Sequence, residues 1–345
     1  MWPAQSSVLV PQSWWNMLSR VAESLFWMSR YLERAEDVAR IIAVNFQASL
    51  DAPDVSQALA WEPVIAITGD RQVYAAAFDT FDEASVTAFL TRHPENRNAI
   101  LSCVGRAREN ARAVREQISR EMWEEINRLY HVVYGAEVES IVRNPYEFFS
   151  QIRNGSHLFQ GVTDATMAHS EGWEFIQAGK YLERADKTAR ILDVKYGALT
   201  ANTGGEGAPL VSLQWIALLK SCSAFEPYRR SHSQLQAWRV VDFLLLDRTF
   251  PRSVAFCLEH TRRSLARLSD SPLDRPSNAA ERLLGRLYSE LTYLDIREAL
   301  ADLHMYLDEM QRKLNAVGES VAQTYFVPNV LPPSVAAPSR YYEAQ

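Results

Sequence analysis

The chain has 345 residues, of which 47% are hydrophobic and 23% are charged, so it can bury a sizeable core and is expected to be globular. A net charge of −6 without any basic tract argues against a nucleic acid as a partner. No apolar run reaches the roughly 18 residues that a membrane span needs, and the first residues lack the order of a signal peptide. A cytoplasmic protein without membrane contact is therefore predicted.

Periodic apolar positions predict helices along most of the chain, and no convincing strand-like alternation is found. Residues 1–16 predict a flexible arm, residues 202–207 a glycine-rich loop and residues 328–345, with four prolines, an extended tail. The predicted fold class is all-α. In chain order, the predicted helices cover residues 17–50, 55–68, 82–91, 98–131, 145–161, 165–199, 210–221, 236–246, 251–268, 277–291 and 296–325.

One short stretch occurs twice. Residues 31–35, Tyr-Leu-Glu-Arg-Ala, return 150 positions later as residues 181–185. Of the twelve positions that begin at Tyr31, eight are identical in the second copy, and one of them is Arg40, which returns as Arg190. Both copies lie in stretches with helical periodicity, so the motif is predicted to lie on two helices.

The repetition extends beyond this stretch. We interpret the chain as two copies of one multi-helix unit, about residues 17–145 and 160–290, closed by a helix over about residues 296–325. Two copies commonly pack about a pseudo-two-fold axis, which would bring the two motif helices together or place them on facing walls of a cleft. Positions that match at an offset of 154 include Trp61 with Trp215, Tyr74 with Tyr228 and Cys103 with Cys257.

The motif also carries a pattern of charges. Glu36 precedes Arg40 by four residues, which is the favourable order for a helical ion pair. A solvated charged face would explain one copy, but a surface face has no reason to repeat so literally. Arg30 is replaced by Lys180, which keeps the charge and loses the bidentate fork. The candidate binding residues are Arg30, Tyr31, Glu33, Arg34 and Arg40 in the first copy and Lys180, Tyr181, Glu183, Arg184 and Arg190 in the second.

Several longer runs resemble the bacterial alpha-E proteins, an all-helical family named for its Glu-Arg motif. The run 17–36, which begins Met-Leu-Ser-Arg-Val-Ala-Glu, resembles the opening of that family. The resemblance covers about residues 17–327 and leaves residues 1–16 outside, so Met17 is a candidate natural start. Further similar runs are 107–115, 157–161, 171–173, 243–248 and 251–253.

The resemblance implies a biochemical setting. Alpha-E domains are partners of circularly permuted ATP-grasp ligases, and transglutaminase-like proteases occur nearby. Such systems are thought to form or modify peptides or amides by activating a carboxylate and capturing an amine. The family motif is carried onto Glu33, Arg34, Glu183 and Arg184 of this chain. The resemblance assigns no reaction to the alpha-E component, so whether the chain is an enzyme is left open.

Three interpretations of the motif follow. Two Glu and two Arg residues in a cleft can bind both ends of an amino acid or peptide, with Arg on the carboxylate and Glu on the ammonium. The same groups can instead form a buried reciprocal lattice, in which Glu33 pairs with Arg184 and Glu183 with Arg34. General acid–base chemistry is the third. The predicted function is binding or delivery of an amino or acyl substrate beside an ATP-grasp ligase, and the alternative is a non-catalytic scaffold.

Other chemistry has less support. No Glu is followed three residues later by a His, as a di-iron bundle requires, so neither a metal nor a cofactor is predicted. His157 and His169 flank the second motif helix, although core or surface positions are favoured for both. No glycine-rich phosphate loop or Gly-x-Ser-x-Gly occurs. The thiols of Cys103, Cys222 and Cys257 are expected to be buried, and Arg97, Arg248 and Arg252 either extend a cationic pocket or lie on the surface.

Overall fold

A computed structural model of the chain describes residues 19–51, 56–201 and 209–327, and every regular element in these ranges is helical. The all-α prediction is therefore confirmed. The predicted arm, loop and tail lie outside the described residues. The α-helices are α1 (Ser19–Asp51), α2 (Gln57–Thr68), α3 (Arg71–Ala75), α4 (Glu83–Arg92), α5 (Ile100–Ala113), α6 (Arg120–Gly135), α7 (Val138–Arg143), α8 (Pro145–Thr166), α9 (Glu171–Ala201), α10 (Pro209–Ser221), α11 (Phe225–Ser231), α12 (Ala237–Leu246), α13 (Val254–Leu268), α14 (Ala279–Thr292), α15 (Ile296–Ala301) and α16 (Leu303–Val321), which continues into a π-helical turn, Ala322–Phe326.

The two longest predicted helices other than the motif helices were wrong, because each is interrupted. The predicted helices over residues 98–131 and 296–325 are each two helices, α5 with α6 and α15 with α16. The reason is a capping side chain inside each stretch. The Ser119 hydroxyl accepts a hydrogen bond from a backbone N–H in the first turn of α6, and the Asp302 carboxylate does the same for α16. The short helices α3, α7 and α11 were not predicted, because they are shorter than two turns and give no clear period.

The motif helices α1 and α9 form the centre of the molecule and pack against each other. Most residues of α1 between Met28 and Phe46 are buried, as are most residues of α9 between Glu174 and Leu192. Burial on all sides is the property of a helix enclosed by other helices. The charged residues of both helices must therefore find partners inside the protein.

The helices have matching neighbours eight elements apart. α1 packs against α5, α8 and α10, and α9 packs against α13, α16 and α2. The contact between α4 and α7 in the first half matches the contact between α12 and α15 in the second. The contact between α5 and α6 likewise matches the contact between α13 and α14. This correspondence supports the internal duplication, which stays a prediction. It favours units of about residues 19–166 and 171–321 over the predicted bounds of 17–145 and 160–290.

The apolar core is shared by both halves of the chain, from Ala22 to Phe326. The thiols of Cys103, Cys222 and Cys257 are free and buried, as predicted. Among the helices that the structure describes, none combines the length and the apolar composition needed to cross a bilayer.

The two central helices make a close contact at Gly179 of α9. A Cβ atom at this position would lie 2.4 Å from the carbonyl oxygen of Phe26 and 2.4 Å from the hydroxyl oxygen of Ser29, both in α1. The Phe26 carbonyl belongs to a packed helix backbone and cannot move away cheaply. Gly179 is also the counterpart of Ser29 at the repeat offset of 150, so equivalent positions meet where the helices touch.

Replacing Gly179 with Ala is expected to lower the free energy of unfolding by about 1–3 kcal/mol or more, because the methyl group must push α1 away. The control is Gly161→Ala in α8, where nothing lies within 4 Å of the added Cβ. That variant should be neutral or gain about 0.5–1 kcal/mol, since Ala is favoured over Gly within a helix. Urea unfolding of both variants tests the contact, and a Gly179→Ala protein as stable as the wild type would contradict it.

Candidate functional site

The first group of charges is centred on Glu33 of α1, whose side chain is 1% exposed. Its carboxylate accepts hydrogen bonds from Arg184 Nε of α9 at 2.6 Å and from Gln160 Nε2 of α8 at 2.9 Å. Gln160 Oε1 accepts in turn from Arg184 Nη2 at 2.8 Å, so the amide orients both partners. Nη1 of Arg252, which lies just before α13, is 2.8 Å from Glu33 Oε1.

Arg252 extends this group along α1. Its two Nη atoms donate to Glu36 at 2.8 Å and to Asp37 at 2.9 Å. Arg40 pairs with the same two carboxylates and donates from Nη1 to the Ser223 hydroxyl at 2.8 Å. Three carboxylates thus face three guanidinium groups, so the formal charges balance. We call this the first cluster: Glu33, Glu36, Asp37, Arg40, Arg184 and Arg252.

The second group is centred on Glu183 of α9, whose side chain is fully buried. Arg34 of α1 binds its carboxylate in a fork, from Nε at 2.6 Å and from Nη2 at 3.0 Å. Arg30 Nε donates to the same carboxylate at 2.8 Å. Arg34 Nη1 also donates to Asn98 Oδ1 at 2.9 Å, and the Asn98 amide donates to Asp70 at 3.0 Å. A bidentate guanidinium pair of this kind fixes geometry as well as charge.

The motif residues therefore form reciprocal pairs across the contact of α1 with α9. Glu33 binds Arg184, and Glu183 binds Arg34. This is the geometry that the lattice interpretation describes. The space beside Glu33, Gln160 and Lys180 is about 10 Å³, which is about the volume for one water molecule. A substrate has no room there in this arrangement.

The remaining predicted site residues lie around these pairs. The Arg34 guanidinium lies 5.8 Å from the centre of the Tyr31 ring, and the Arg184 guanidinium lies 5.6 Å from the Tyr181 ring. Lys180 Nζ lies 4.4 Å from the Tyr181 ring centre. These are cation–π contacts, and the two Tyr-Arg contacts repeat between the two helices. Arg40 is in the first cluster, and Arg190 binds Asp186 at 2.9 Å.

The second cluster differs from the first at three repeat positions. Lys187 stands where the first copy has Asp37, and Asn98 stands where the second copy has Arg252. Arg30 binds Glu183, whereas its counterpart Lys180 lies on the Tyr181 ring. The Lys187 ammonium lies 3.8 Å from Glu183 and 3.7 Å from Asp186, longer than hydrogen-bonding distance. Four cations therefore surround two carboxylates in the second cluster, which comprises Arg30, Arg34, Glu183, Asp186, Lys187 and Arg190.

Six residues of the site were not among the candidate binding residues: Glu36, Asp37, Asn98, Gln160, Asp186 and Lys187. Arg252 was only one of three arginines with an undecided place. Arg97 and Arg248, the other two, are exposed. The usable signal was the repeat itself: the offset of 150 that aligns the motif pairs Asp37 with Lys187, and the offset of 154 found farther along the chain pairs Asn98 with Arg252.

Burial and charge oppose each other at these carboxylates. Burial alone would raise the pKa of Glu183, but the charges of Arg34 and Arg30 outweigh it and hold that pKa well below its ordinary range. Burial would also raise the pKa of Glu36, but the charges of Arg252 and Arg40 outweigh burial, so this pKa is lowered too. Both groups are therefore ionised at neutral pH.

Asp37 behaves in the opposite way. Burial, helped by the negative charges of neighbouring carboxylates, raises the pKa of Asp37 to about 7 in spite of Arg40 and Arg252. Its Oδ2 atom is buried without a hydrogen-bond partner. The cluster thus contains a carboxyl group that takes up a proton more readily than its neighbours.

The three carboxylates of the first cluster could be mistaken for a metal site. Ligand oxygens of Glu33, Glu36 and Asp37 lie within 4.8 Å of one another. Their charges, however, are already compensated by Arg40, Arg184 and Arg252, and a cation would have to displace guanidinium groups that would then be buried unpaired. The donor set fits an ion-pair cluster better than a metal ion.

The two histidines singled out from the sequence lie at the edge of the site or outside it. His157 Nε2 is 3.6 Å from Glu36, and most of the imidazole faces solvent. His169 stacks on Trp173 at the start of α9 and has Asp164 as its charged neighbour. Neither ring is placed between the motif pairs.

The chain belongs to the Alpha-E family, described as a predicted alpha-helical domain with a conserved ER motif, and the match spans residues 17–326. It is 25% identical over 301 residues to an uncharacterized protein of Mycobacterium bovis, with 81% of this chain and 33% of the relative covered. Uncharacterized proteins of two Mycobacterium tuberculosis strains match with the same identity and coverage. The chain thus spans about one third of the length of these curated relatives. No solved structure matches it.

Removing one buried partner of the lattice should be costly. Glu33→Gln is expected to lower the free energy of unfolding by about 3–5 kcal/mol, because Arg184 and Arg252 then lose a buried counter-charge. The control is Asp308→Asn, which breaks an exposed pair with Arg312 and should cost no more than about 1 kcal/mol. Equilibrium unfolding in urea measures both, and equal losses in the two variants would contradict a buried lattice.

The raised pKa of Asp37 makes stability depend on pH. Between about pH 4 and pH 7 the folded protein holds a proton that the unfolded chain has released, so this group makes the free energy of unfolding fall as the pH rises. Asp37→Asn removes that titration. Relative to the wild type, the variant should therefore be more stable at pH 8 than at pH 5.

Urea unfolding at the two pH values measures this difference. Asp308→Asn is again the control, because the Asp308 carboxylate is 58% exposed. The difference in unfolding free energy between this variant and the wild type should be the same at both pH values. Work at pH 5 and above avoids the separate loss of the Glu36 and Glu183 ion pairs, which is expected only as the pH falls below 4.5. An Asp37→Asn effect that is the same at pH 5 and pH 8 would contradict the raised pKa.

Proposed function

We propose that this chain is a helical scaffold that works with a circularly permuted ATP-grasp ligase in a peptide- or amide-forming system. In this proposal the Glu-Arg motif holds the scaffold together. The observation that carries it is that each motif carboxylate is buried and bound by the motif arginine of the other helix. The ligase as partner, and a transglutaminase-like protease as a second one, follow from the resemblance to alpha-E proteins.

The protonation states of the motif support a structural role. A general acid or base works best when its pKa lies near the working pH and when it can reach the substrate. The pKa values of Glu33 and Glu183 are lowered, since their arginine partners outweigh the effect of burial. Both carboxylates are also enclosed by helices. A permanently ionised, enclosed carboxylate is suited to holding an arginine in place.

The second candidate is capture of an amino or acyl substrate at the second cluster. Four cations against two carboxylates leave positive charge that an anionic group of a substrate could offset. Arg30 and Arg34 keep 11% and 16% of their side-chain surface exposed, whereas Glu183 keeps none. A carboxylate of an amino acid or small peptide could approach from this side.

The scaffold proposal and the substrate-capture proposal predict different product formation by a variant that remains folded. The test is co-purification of the chain with its partner ligase, followed by mass spectrometry of the products with and without the chain. The double variant Arg34→Lys, Arg184→Lys keeps both charges and removes both forks. The scaffold proposal predicts a lower melting temperature, with product formation that follows the folded fraction.

Arg312→Lys, on the exposed face of α16, serves as the matched control and should change neither quantity. A double variant that is fully folded at the assay temperature and yet forms no product would contradict the scaffold proposal and favour substrate capture. Unchanged products in the absence of the chain, together with no co-purification, would contradict the ligase partnership itself.

A further inference from the structure

A second feature lies away from both clusters. A cavity of about 590 Å³ lies between the last turns of α1, the first turns of α2, and parts of α9 and α10. This volume is within the range of small-molecule sites in proteins, which is about 300–1,000 Å³. Its walls are mainly apolar and aromatic, and include Val44, Phe46, Trp61, Leu199 and Ile216. Such walls suit the hydrocarbon part of a ligand.

Two amide side chains that line the cavity have unpaired polar atoms. The Asn45 side chain is 4% exposed, and its Nδ2 has no hydrogen-bond partner. Oε1 of Gln214 is likewise buried and unpaired. Most buried polar side-chain atoms in proteins are hydrogen-bonded, and an unmade bond costs about 1–3 kcal/mol. Each of these two atoms exposes less than 1 Å² of surface, so neither is open to the cavity in this structure.

A lysine lines the same cavity without an ion-pair partner among the described residues. Among the described residues, no carboxylate or hydrogen-bond acceptor pairs with the amine of Lys195. Burial lowers the pKa of Lys195 to about 8, the direction expected for an ammonium that lacks an anionic partner. Lys220, another lining residue, donates to Gln47 at 3.4 Å. Asp51 and Glu83 also line the cavity but form no ion pair with Lys195, which is therefore its unpaired cation among the described residues.

We propose that this cavity binds an amphipathic carboxylate, with Lys195 donating to the carboxylate oxygens and the apolar walls enclosing an alkyl or aryl body. A lysine ammonium carries three N–H donors and can bind both oxygens of a carboxylate. The apolar walls contribute through the area that they remove from water. The site is separate from the Glu-Arg lattice, and its test needs no ligase.

The probes are decanoate and decyltrimethylammonium, which share an alkyl chain and differ in the charge of the head group. Isothermal titration of the whole chain should show saturable 1:1 binding of decanoate, and the cationic probe should bind at least about tenfold more weakly. Lys195→Met keeps the length of the side chain and removes the donor. It should weaken decanoate binding about tenfold or more, which corresponds to about 1.4 kcal/mol, and should not weaken binding of the cationic probe.

Two further variants separate the site from general effects. Lys313→Met removes an exposed lysine of α16 and should leave decanoate binding unchanged. Ala60→Trp fills the cavity from α2 and should abolish saturable binding of both probes, with a melting curve to show that the variant is folded. The proposal is overturned if the wild type gives no saturable decanoate binding, if both head groups bind equally, or if folded Lys195→Met binds decanoate as the wild type does.

Discussion

A carboxylate buried between helices must be paired with a cation, and in this protein the cation comes from the other central helix. Glu33 of α1 is neutralised by Arg184 of α9, and Glu183 of α9 by Arg34 of α1. Each helix therefore supplies the arginine that neutralises the buried glutamate of the other helix. Sliding one helix along the other by a turn would separate both pairs at once and leave buried charges unpaired, so the pairs define the register of the central contact. The close approach at Gly179 acts on the same contact, because only a residue without a side chain fits against the backbone of α1.

The two clusters apply this constraint in different ways. The first balances three carboxylates with three guanidinium groups, and its members are almost completely buried. The second keeps more cations than carboxylates and leaves its arginines partly exposed. The exchange of Asp37 for Lys187 adds two positive charges, the exchange of Arg252 for Asn98 removes one, and Arg30 adds one because it binds Glu183, while the motif pairs stay the same. One cluster is thus a closed structural element, and the other retains positive charge toward solvent.

The sequence was informative where a signal repeats or extends over several turns. The doubled Glu-Arg stretch predicted the reciprocal pairs as one of its interpretations. Apolar periods predicted α1 closely but placed the start of α9 six residues too early, inside α8. Single side chains that end or begin a helix, such as Ser119 and Asp302, were not recognised, because the apolar period continues across them. The choice between a closed lattice and an open cleft depends on how tightly the two helices pack. That distance is set by residues far apart in the sequence, among them Gly179, so periodicity alone does not determine it.

The most direct test of the lattice is a double-mutant cycle on one reciprocal pair. Free energies of unfolding are measured for the wild type, Glu33→Gln, Arg184→Gln and the double variant. Since the two side chains bind each other across the helix contact, the account predicts a coupling energy of about 1–3 kcal/mol, with the double variant losing much less than the sum of the single losses. Additive losses, with a coupling below about 0.5 kcal/mol, would show that the two residues act independently and would contradict the reciprocal pairing.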